Sequence, residues 1–288
     1  MTEVKKAGVI GSGMMGAEIA LCFAMAGIPV AMKDLRMDFV KAGMDRAGKA
    51  LDKLIKKGQL DGERKGSVLS LIHPTDKYDS FQDADVVIEA VVENLEVKRQ
   101  TFAELDKICK PQCIFSTNTS SLSVTAIATA VVEDRRGRFL GTHFFSPVSL
   151  MKLVEVVPGL ETKEDAVNTT MDICRLIGKT PIRVKDVAGF AVNRLLHAMW
   201  IEAERCVEEG VATPEDIDIA CRLGLGHPVG PFQLMDLVTN ELTLNIQEIL
   251  HESYGPRFMP RPVLRQKVDA GHSGRKTGKG WYDYKEKK

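Results

Sequence analysis

A glycine-rich hexapeptide, Gly11-Ser-Gly-Met-Met-Gly16, limits what this chain can fold into more than any other stretch. It follows the β-branched run Lys6-Ala-Gly-Val-Ile and opens an apolar helical stretch, Met14 to Met25, that ends before Gly27. Glycines at this spacing allow a tight turn, close approach of the backbone to a pyrophosphate, and close packing of helix on strand. The helix N-terminus then offers unpaired N–H groups and the positive end of its dipole to an anion. The next strand-like run, Pro29-Val-Ala-Met-Lys, ends at Asp34, where a ribose-binding acid is expected, roughly 20 residues on. A carboxylate there accepts from a ribose 2′-hydroxyl and repels a 2′-phosphate, which favours NAD over NADP. Lys33 and Arg36 flank it and weaken that discrimination. Gly11, Ser12, Gly13, Met14, Met15, Gly16 and Asp34 are the candidate cofactor residues. The plainer alternative is a structural turn beside a solvated acid.

The alternation continues beyond this unit. Strand candidates are Ser70-Leu-Ile-His, Asp85-Val-Val-Ile-Glu-Ala-Val, Cys113-Ile-Phe-Ser, Arg138-Phe-Leu-Gly-Thr-His-Phe, Leu153-Val-Glu-Val-Val and Thr180-Pro-Ile-Arg-Val, with a helix over 93–108. Strand and helix in turn predict a mostly parallel, doubly wound α/β sheet of Rossmann type. Between Asp38 and Leu71 no strand is expected. Val40, Met44, Ala47, Leu51 and Leu54 recur at helical spacing, and Gly58, Gly62 and Gly66 punctuate the segment after them. This reads as an inserted helical hairpin with a lysine-rich polar face. After Lys185 the strands stop. A long helix over 188–209 closes at Gly210, Thr213-Pro-Glu-Asp carries a helix start, and a further helix covers 240–251. The chain therefore divides into a sheet domain, 1–186, and a separate all-helical domain, 187–288.

Composition excludes several classes. Lysine plus arginine equals aspartate plus glutamate at 39 each, so no global basic field exists to gather nucleic acid. The apolar stretch from Met14 to Val30 is interrupted by Glu18, Gly27 and Pro29 and does not span a membrane. The first residues lead into a strand with no signal-peptide core, so a cytoplasmic enzyme is expected. The six cysteines show no zinc spacing, and neither metal nor disulfide is expected.

Three further groups could carry chemistry. His143 lies near the end of one strand run and Glu155 lies on the next. An alcohol dehydrogenation needs a base for the hydroxyl proton, and a carboxylate on the other ring nitrogen would fix the tautomer and stabilise the imidazolium. On periodicity alone, a lone histidine at a strand end is more often structural. Ser116-Thr-Asn-Thr-Ser-Ser121 lies between a strand and a helix, where such residues also cap. Asn193 is a mildly unfavourable helix residue that fits a ligand contact or plain surface.

Eight stretches in order across the chain resemble the L-3-hydroxyacyl-CoA dehydrogenase family, in particular its short bacterial 3-hydroxybutyryl-CoA members. They are Gly11–Gly16, Glu89–Lys98, Asn118–Leu122, Thr142–Pro147, Met151–Glu155, Gly189–Leu196, Gly230–Phe232 and Gly274–Tyr282. The resemblance implies an NAD-binding domain, a helical domain that forms a homodimer, and an active site in the cleft between them. It implies His143 as general base paired with Glu155. Ser120 would bond the substrate oxygen beside the nicotinamide, and Asn193 would reach in from the helical domain. Glu93, Lys98 and Lys276 match cofactor-contacting positions. Lys57 matches a coenzyme A contact, with Lys53 and Lys56 clustered near it.

Two departures stand out. Ser146 replaces the family's asparagine, which puts a contact to substrate or nicotinamide in question, and Ala188 replaces a proline. The activity implied is NAD-dependent interconversion of a short-chain (3S)-3-hydroxyacyl-CoA and its 3-oxo form. The alternatives are a related two-domain dehydrogenase of a free hydroxy acid or sugar acid, and a non-catalytic NAD-binding protein of the same fold.

Overall fold

Short apolar runs become strands because helices cover both faces of the sheet and leave no solvated side for polar residues. The computed structural model describes residues 4–284. It divides into two compact units, with the boundary between Val187 and Ala188.

In the first unit the order is β1 (Ala7–Ile10), α1 (Met14–Met25), β2 (Val30–Lys33), α2 (Met37–Lys56), α3 (Arg64–Ser70), β3 (Ile72–Thr75), β4 (Val86–Glu89), α4 (Leu95–Ile108), β5 (Ile114–Thr117), α5 (Val124–Ala128), α6 (Glu133–Arg136), β6 (Phe139–Phe144), β7 (Leu153–Pro158), α7 (Glu164–Leu176) and β8 (Thr180–Arg183). The eight strands form one sheet in the order β3-β2-β1-β4-β5-β6-β7-β8. All neighbouring pairs are parallel except β6 with β7. The expected doubly wound sheet is the observed one.

Its central strands are buried along their whole length: β1, β4 and β5 expose no residue. Phe102 of α4 packs tilted against Phe115 of β5 and edge-on against Phe139 of β6, with ring centroids 5.6 and 4.5 Å apart. Each such side chain contributes roughly 1.5–3 kcal/mol by leaving water. The inserted hairpin is also present. Val40, Ala47, Leu51 and Leu54 form the buried stripe of α2.

Several boundaries differ from expectation. Ser70 ends α3, and the strand starts two residues later, at Ile72. Gly66 does not punctuate the hairpin but lies inside α3, where Val68 is anchored in the core. The long helix starts at Val192 rather than 188, because Gly189 and Phe190 both take positive φ (71° and 44°), which no α-helix permits.

The second unit contains α8 (Val192–Glu208), α9 (Pro214–Gly224), α10 (Pro231–Val238), α11 (Asn240–Tyr254) and α12 (Pro262–Asp269). Thr213 caps α9 by accepting from Asp216 N at 3.1 Å, with Pro214 in the first turn. The Gly274–Tyr282 stretch wraps onto Asp236, whose carboxylate accepts from Trp281 N at 2.8 Å and Tyr282 N at 3.0 Å. A Cβ on Gly280 would fall 2.0 Å from that carboxylate, so close approach explains this glycine.

Candidate active site

The glycine loop divides its three glycines between two physical needs. Gly11 has φ 95°, and a Cβ there would meet the Ala90 carbonyl oxygen at 2.5 Å. A Cβ on Gly16 would fall 1.8 Å from the Gly11 carbonyl oxygen. Gly13, the N-cap of α1, has open space where a Cβ would be, and no side chain caps the helix. Orphan N–H groups at an unobstructed helix start form an anion cradle.

Beside the loop is a pocket of about 370 Å³ lined by Gly11, Gly13, Met14, Met15, Asp34, Leu35 and several apolar side chains. Asp34 Oδ2 accepts from Ser12 N at 2.7 Å and lies 2.8 Å from Ser12 Oγ, and Oδ1 accepts from Leu35 N at 2.8 Å. These bonds orient the carboxylate and leave acceptor capacity on Oδ1 for a hydroxyl. The flanking cations are engaged elsewhere. Arg36 forks onto Asp38 at 2.9 and 2.5 Å. Lys33 is buried in the pocket wall with its ammonium 4.2 Å from the Tyr78 ring centre, and burial lowers its pKa. No local sequence pattern marks Tyr78 as a partner for Lys33.

At the ends of β4 and β5 a buried ionic network supports the serine loop. Glu89 Oε1 accepts from Lys98 Nζ at 2.8 Å and from Val91 N at 2.7 Å, while Thr117 donates to its other oxygen at 2.7 Å. Lys98 Nζ also lies 3.2 Å from Glu93 Oε2. The helix here starts at Leu95, two residues after Glu93, with Asn94 as N-cap. Glu93 therefore sits outside the helix and folds onto the loop. Its Oε1 accepts from Thr119 Oγ1 at 2.5 Å, Ser120 N at 2.9 Å and Ser121 N at 3.2 Å. Burial pushes the Glu93 carboxyl up, but the Lys98 charge and these donors outweigh it and hold it below the usual range. Ser120 is thus held from behind by Glu93, and Lys98 is buried beneath the loop. Asn118 accepts from Phe144 N at 2.9 Å, joining this loop to the end of β6.

His143 and Glu155 pair directly across the antiparallel β6–β7 register. Nδ1 lies 2.8 Å from Glu155 Oε2, and both residues are buried. Because β7 runs against β6, the start of β7 and the end of β6 share one edge of the sheet. That is the edge where β4 and β5 end, so His143, Ser120 and the glycine loop all lie at the carboxyl ends of parallel strands. Ser146, exposed after β6, has its hydroxyl 3.9 Å from Met14 Sδ. Its loop is held by Ser149 N donating to Glu18 at 2.7 Å and by buried Lys179 donating to the Val148 and Met151 carbonyls.

Lys53, Lys56 and Lys57 are exposed at the end of α2, and Gly58 (φ 68°) turns the chain there. Cations in a last helical turn also complement the helix dipole, a structural role alongside any ligand contact. Asn193, in the first turn of α8, and Lys276, on a 3-10 turn, belong to the helical unit. Among the described residues, no cluster of three or more His, Cys, Asp or Glu could hold a metal ion. None of the helices described is long and apolar enough to cross a membrane.

Residues 6–187 match the NAD binding domain of 3-hydroxyacyl-CoA dehydrogenase, and residues 189–284 match its C-terminal domain. The chain belongs to the 3-hydroxyacyl-CoA dehydrogenase family. It is 42% identical over 280 residues to a probable 3-hydroxybutyryl-CoA dehydrogenase of Deinococcus radiodurans, covering 97% of this chain and 100% of that one. It is 41% identical to the mitochondrial hydroxyacyl-coenzyme A dehydrogenase of Sus scrofa, with 98% and 92% covered. The crystal structure of (S)-3-hydroxybutyryl-CoA dehydrogenase from Ralstonia eutropha superposes with a TM-score of 0.94 at 38% identity, covering 99% of this chain and 100% of that one. Family membership makes the protein an oxidoreductase with NAD as its cofactor. The open space at Gly13, the uncapped helix start and the oriented Asp34 fit a dinucleotide.

Proposed function

We propose that the protein interconverts a short-chain (3S)-3-hydroxyacyl-CoA, 3-hydroxybutyryl-CoA above all, and the corresponding 3-oxoacyl-CoA. The observation that carries the chemistry is the buried His143–Glu155 pair at the sheet edge that also holds the serine loop. NAD, when bound, supplies the acceptor for the hydride leaving C3. His143 takes the hydroxyl proton on Nε2, the nitrogen turned away from Glu155. The Glu155 carboxylate fixes the Nδ1–H tautomer and offsets the charge of the imidazolium that forms. In the reverse direction the same nitrogen returns the proton. Ser120, oriented through Glu93, donates to the substrate oxygen.

The glycine loop, Asp34 and Ser146 face the cofactor, with Glu93 and Lys98 acting on it through the loop they hold. Lys53, Lys56 and Lys57 bind the phosphates of coenzyme A. Asn193 contacts substrate and Lys276 the cofactor, the roles that the resemblance of their motifs implies. The helical unit also carries the dimer surface. Leu195, Leu223 and Leu225 are 73%, 82% and 68% exposed there, an apolar display that a second copy would cover.

Steady-state NADH consumption with acetoacetyl-CoA, with thioesters of increasing length and with free acetoacetate tests the substrate assignment. Activity confined to the short thioesters is expected. Equal or better activity with the free acid would move the assignment to a hydroxy-acid dehydrogenase. Sedimentation of the purified protein at the mass of one chain would refute the dimer.

A further inference from the structure

The helical unit contains a buried polar cluster that the chemistry above does not use. His197, Trp200 and Glu204 lie on one face of α8, and Gln247 faces Glu204 from α11. All four side chains are essentially closed to solvent, with exposures of 1%, 1%, 0% and 0%. Each holds a buried polar atom that finds no partner among the described residues: His197 Nδ1, Trp200 Nε1, Glu204 Oε2 and Gln247 Oε1. Orphaned groups of this kind cost about 1–3 kcal/mol each, so four in one place call for an explanation.

Two of the four explain each other. Gln247 Nε2 donates to Glu204 Oε1 at 3.1 Å, so the amide and the carboxyl already meet along one edge. The atoms left over are the second oxygen of the carboxyl and the single oxygen of the amide, and both are acceptors when Glu204 is ionised. A proton on Oε2 turns one of them into a donor. We infer that Glu204 is held as the neutral carboxylic acid, donating Oε2–H to Gln247 Oε1, so that a two-bond ring clasps α8 to α11 as a proton-dependent latch.

The surroundings agree. Burial pushes the Glu204 carboxyl from its ordinary value of 4.5 up to about 8. The Gln247 donor opposes this, Glu208 one turn on adds to it, and Arg261, from the segment before α12, opposes it. Arg261 is itself taken up by Glu208, at 2.7 and 2.5 Å. Several other charges on the neighbouring elements are engaged elsewhere. Asp236 of α10 binds the Trp281 and Tyr282 amides, and Arg265 of α12 pairs with Glu248 of α11 at 2.7 Å. Lys267 of α12 lies over the Trp281 ring, and Arg257 stacks on Tyr254 and Phe258.

A carboxyl whose folded pKa is raised gives stability that is complete below its unfolded pKa. That stability is lost as pH rises through the folded value. The latch therefore holds in acid and neutral solution and opens as pH passes about 8.

Thermal unfolding of the full chain from about pH 6 to about pH 9 tests this, with wild type, Glu204→Gln and Glu204→Leu compared at each pH. A glutamine at 204 reproduces both bonds of the ring with no proton to lose. Its melting temperature should pull ahead of wild type by about 5 °C or more as pH rises across the range. Glu204→Leu also has no proton to lose and must show the same flattening, even if E204Q fails to fold. In isotope-edited infrared spectra, wild type at pH 6 should show a protonated-carboxyl band that E204Q lacks. Parallel pH profiles for wild type and the folded variants, or the same carboxyl band in both proteins, would overturn the inference.

Discussion

Lys98 and Glu89 form an ion pair with Nζ and Oε1 2.8 Å apart and side-chain exposures of 1% and 0%. It lies under the loop that holds Ser120, and Lys98 reaches from it to Glu93, whose Oε1 organises that loop. The ammonium therefore links the sheet to the loop while remaining out of solvent.

Removing one member of a buried pair leaves the other uncompensated, which typically costs 3–5 kcal/mol. Lys98→Met is expected to lower stability by about that amount and to loosen the Ser120 loop, so kcat/KM falls as well. The double variant Lys98→Met/Glu89→Gln should regain part of the stability, because the stranded charge is gone, without regaining the activity. Chemical denaturation of the three proteins measures the first effect and steady-state assays the second. A single variant as stable as wild type would mean the pair is not structural.

For the reacting pair, His143→Gln is expected to lower turnover by roughly a hundredfold or more while NADH affinity stays near wild type. The Rossmann elements around the glycine loop do not rest on His143, so binding and chemistry should separate. Glu155→Gln keeps the packing but removes the countercharge to the imidazolium, and turnover should fall with little change in KM. Single-turnover kinetics with NADH fluorescence titration distinguishes the two effects. Near-normal turnover in His143→Gln would remove the proposed base.

Much of the fold and the cofactor loop is legible in the sequence because it depends on local backbone needs. The Gly11 and Gly16 approaches, the helix stripe of Val40, Ala47, Leu51 and Leu54, and the Thr213 cap each leave a short-range sequence pattern. The Lys98–Glu89–Glu93 network leaves none. A buried charged residue in a helix is written with the same letter as an exposed one, and its partners come from β4 and the segment after it. Lys33 misleads for the same reason. Beside Asp34 it reads as a cation that weakens the discrimination against a 2′-phosphate, yet it is buried and its ammonium lies over the Tyr78 ring. The sequence pattern starts α8 four residues early because Phe190 reads as a helical apolar residue, while its φ of 44° excludes it.

On the proposed reading Asp34, with its neighbours engaged, sets the cofactor choice. Since Arg36 is forked onto Asp38 and Lys33 is covered by Tyr78, little positive charge is left to receive a 2′-phosphate. Catalytic efficiency with NADH should exceed that with NADPH by roughly a hundredfold, about 2.7 kcal/mol. Asp34→Ala should shrink the ratio mainly by losing affinity for NADH. Equal efficiencies in the wild-type protein would show that Asp34 does not face the ribose.

His197 predicts an acid limit to stability. Burial lowers its pKa from 6.5 to about 3, so the folded state keeps it neutral while the unfolded state takes up a proton. Its contribution is intact above pH 6.5 and is lost as pH falls from there toward 3, with a slope of up to about 1.4 kcal/mol per pH unit. His197→Leu, which removes the titration, should flatten the stability curve below pH 6 relative to wild type. Denaturant midpoints across that range measure it. An unchanged acid slope would assign the loss to carboxylates elsewhere.

The lysines at the end of α2 give the last test. Lys53, Lys56 and Lys57 are exposed where the hairpin turns at Gly58, while the apolar stripe of the same helix is buried. Adenosine 3′-phosphate and the pyrophosphate of coenzyme A are strongly anionic, and binding them far from C3 yields energy that positions the reacting carbon. Helix-end cations also stabilise α2 through its dipole, by roughly 0.3–1 kcal/mol. The two roles separate by readout. Lys56→Ala/Lys57→Ala should raise KM for acetoacetyl-CoA severalfold, most at low ionic strength where screening is weakest, and leave NADH kinetics unchanged. Loss of the dipole contribution alone would lower the melting temperature with acyl-CoA kinetics constant across a salt series, and coenzyme A would then bind elsewhere.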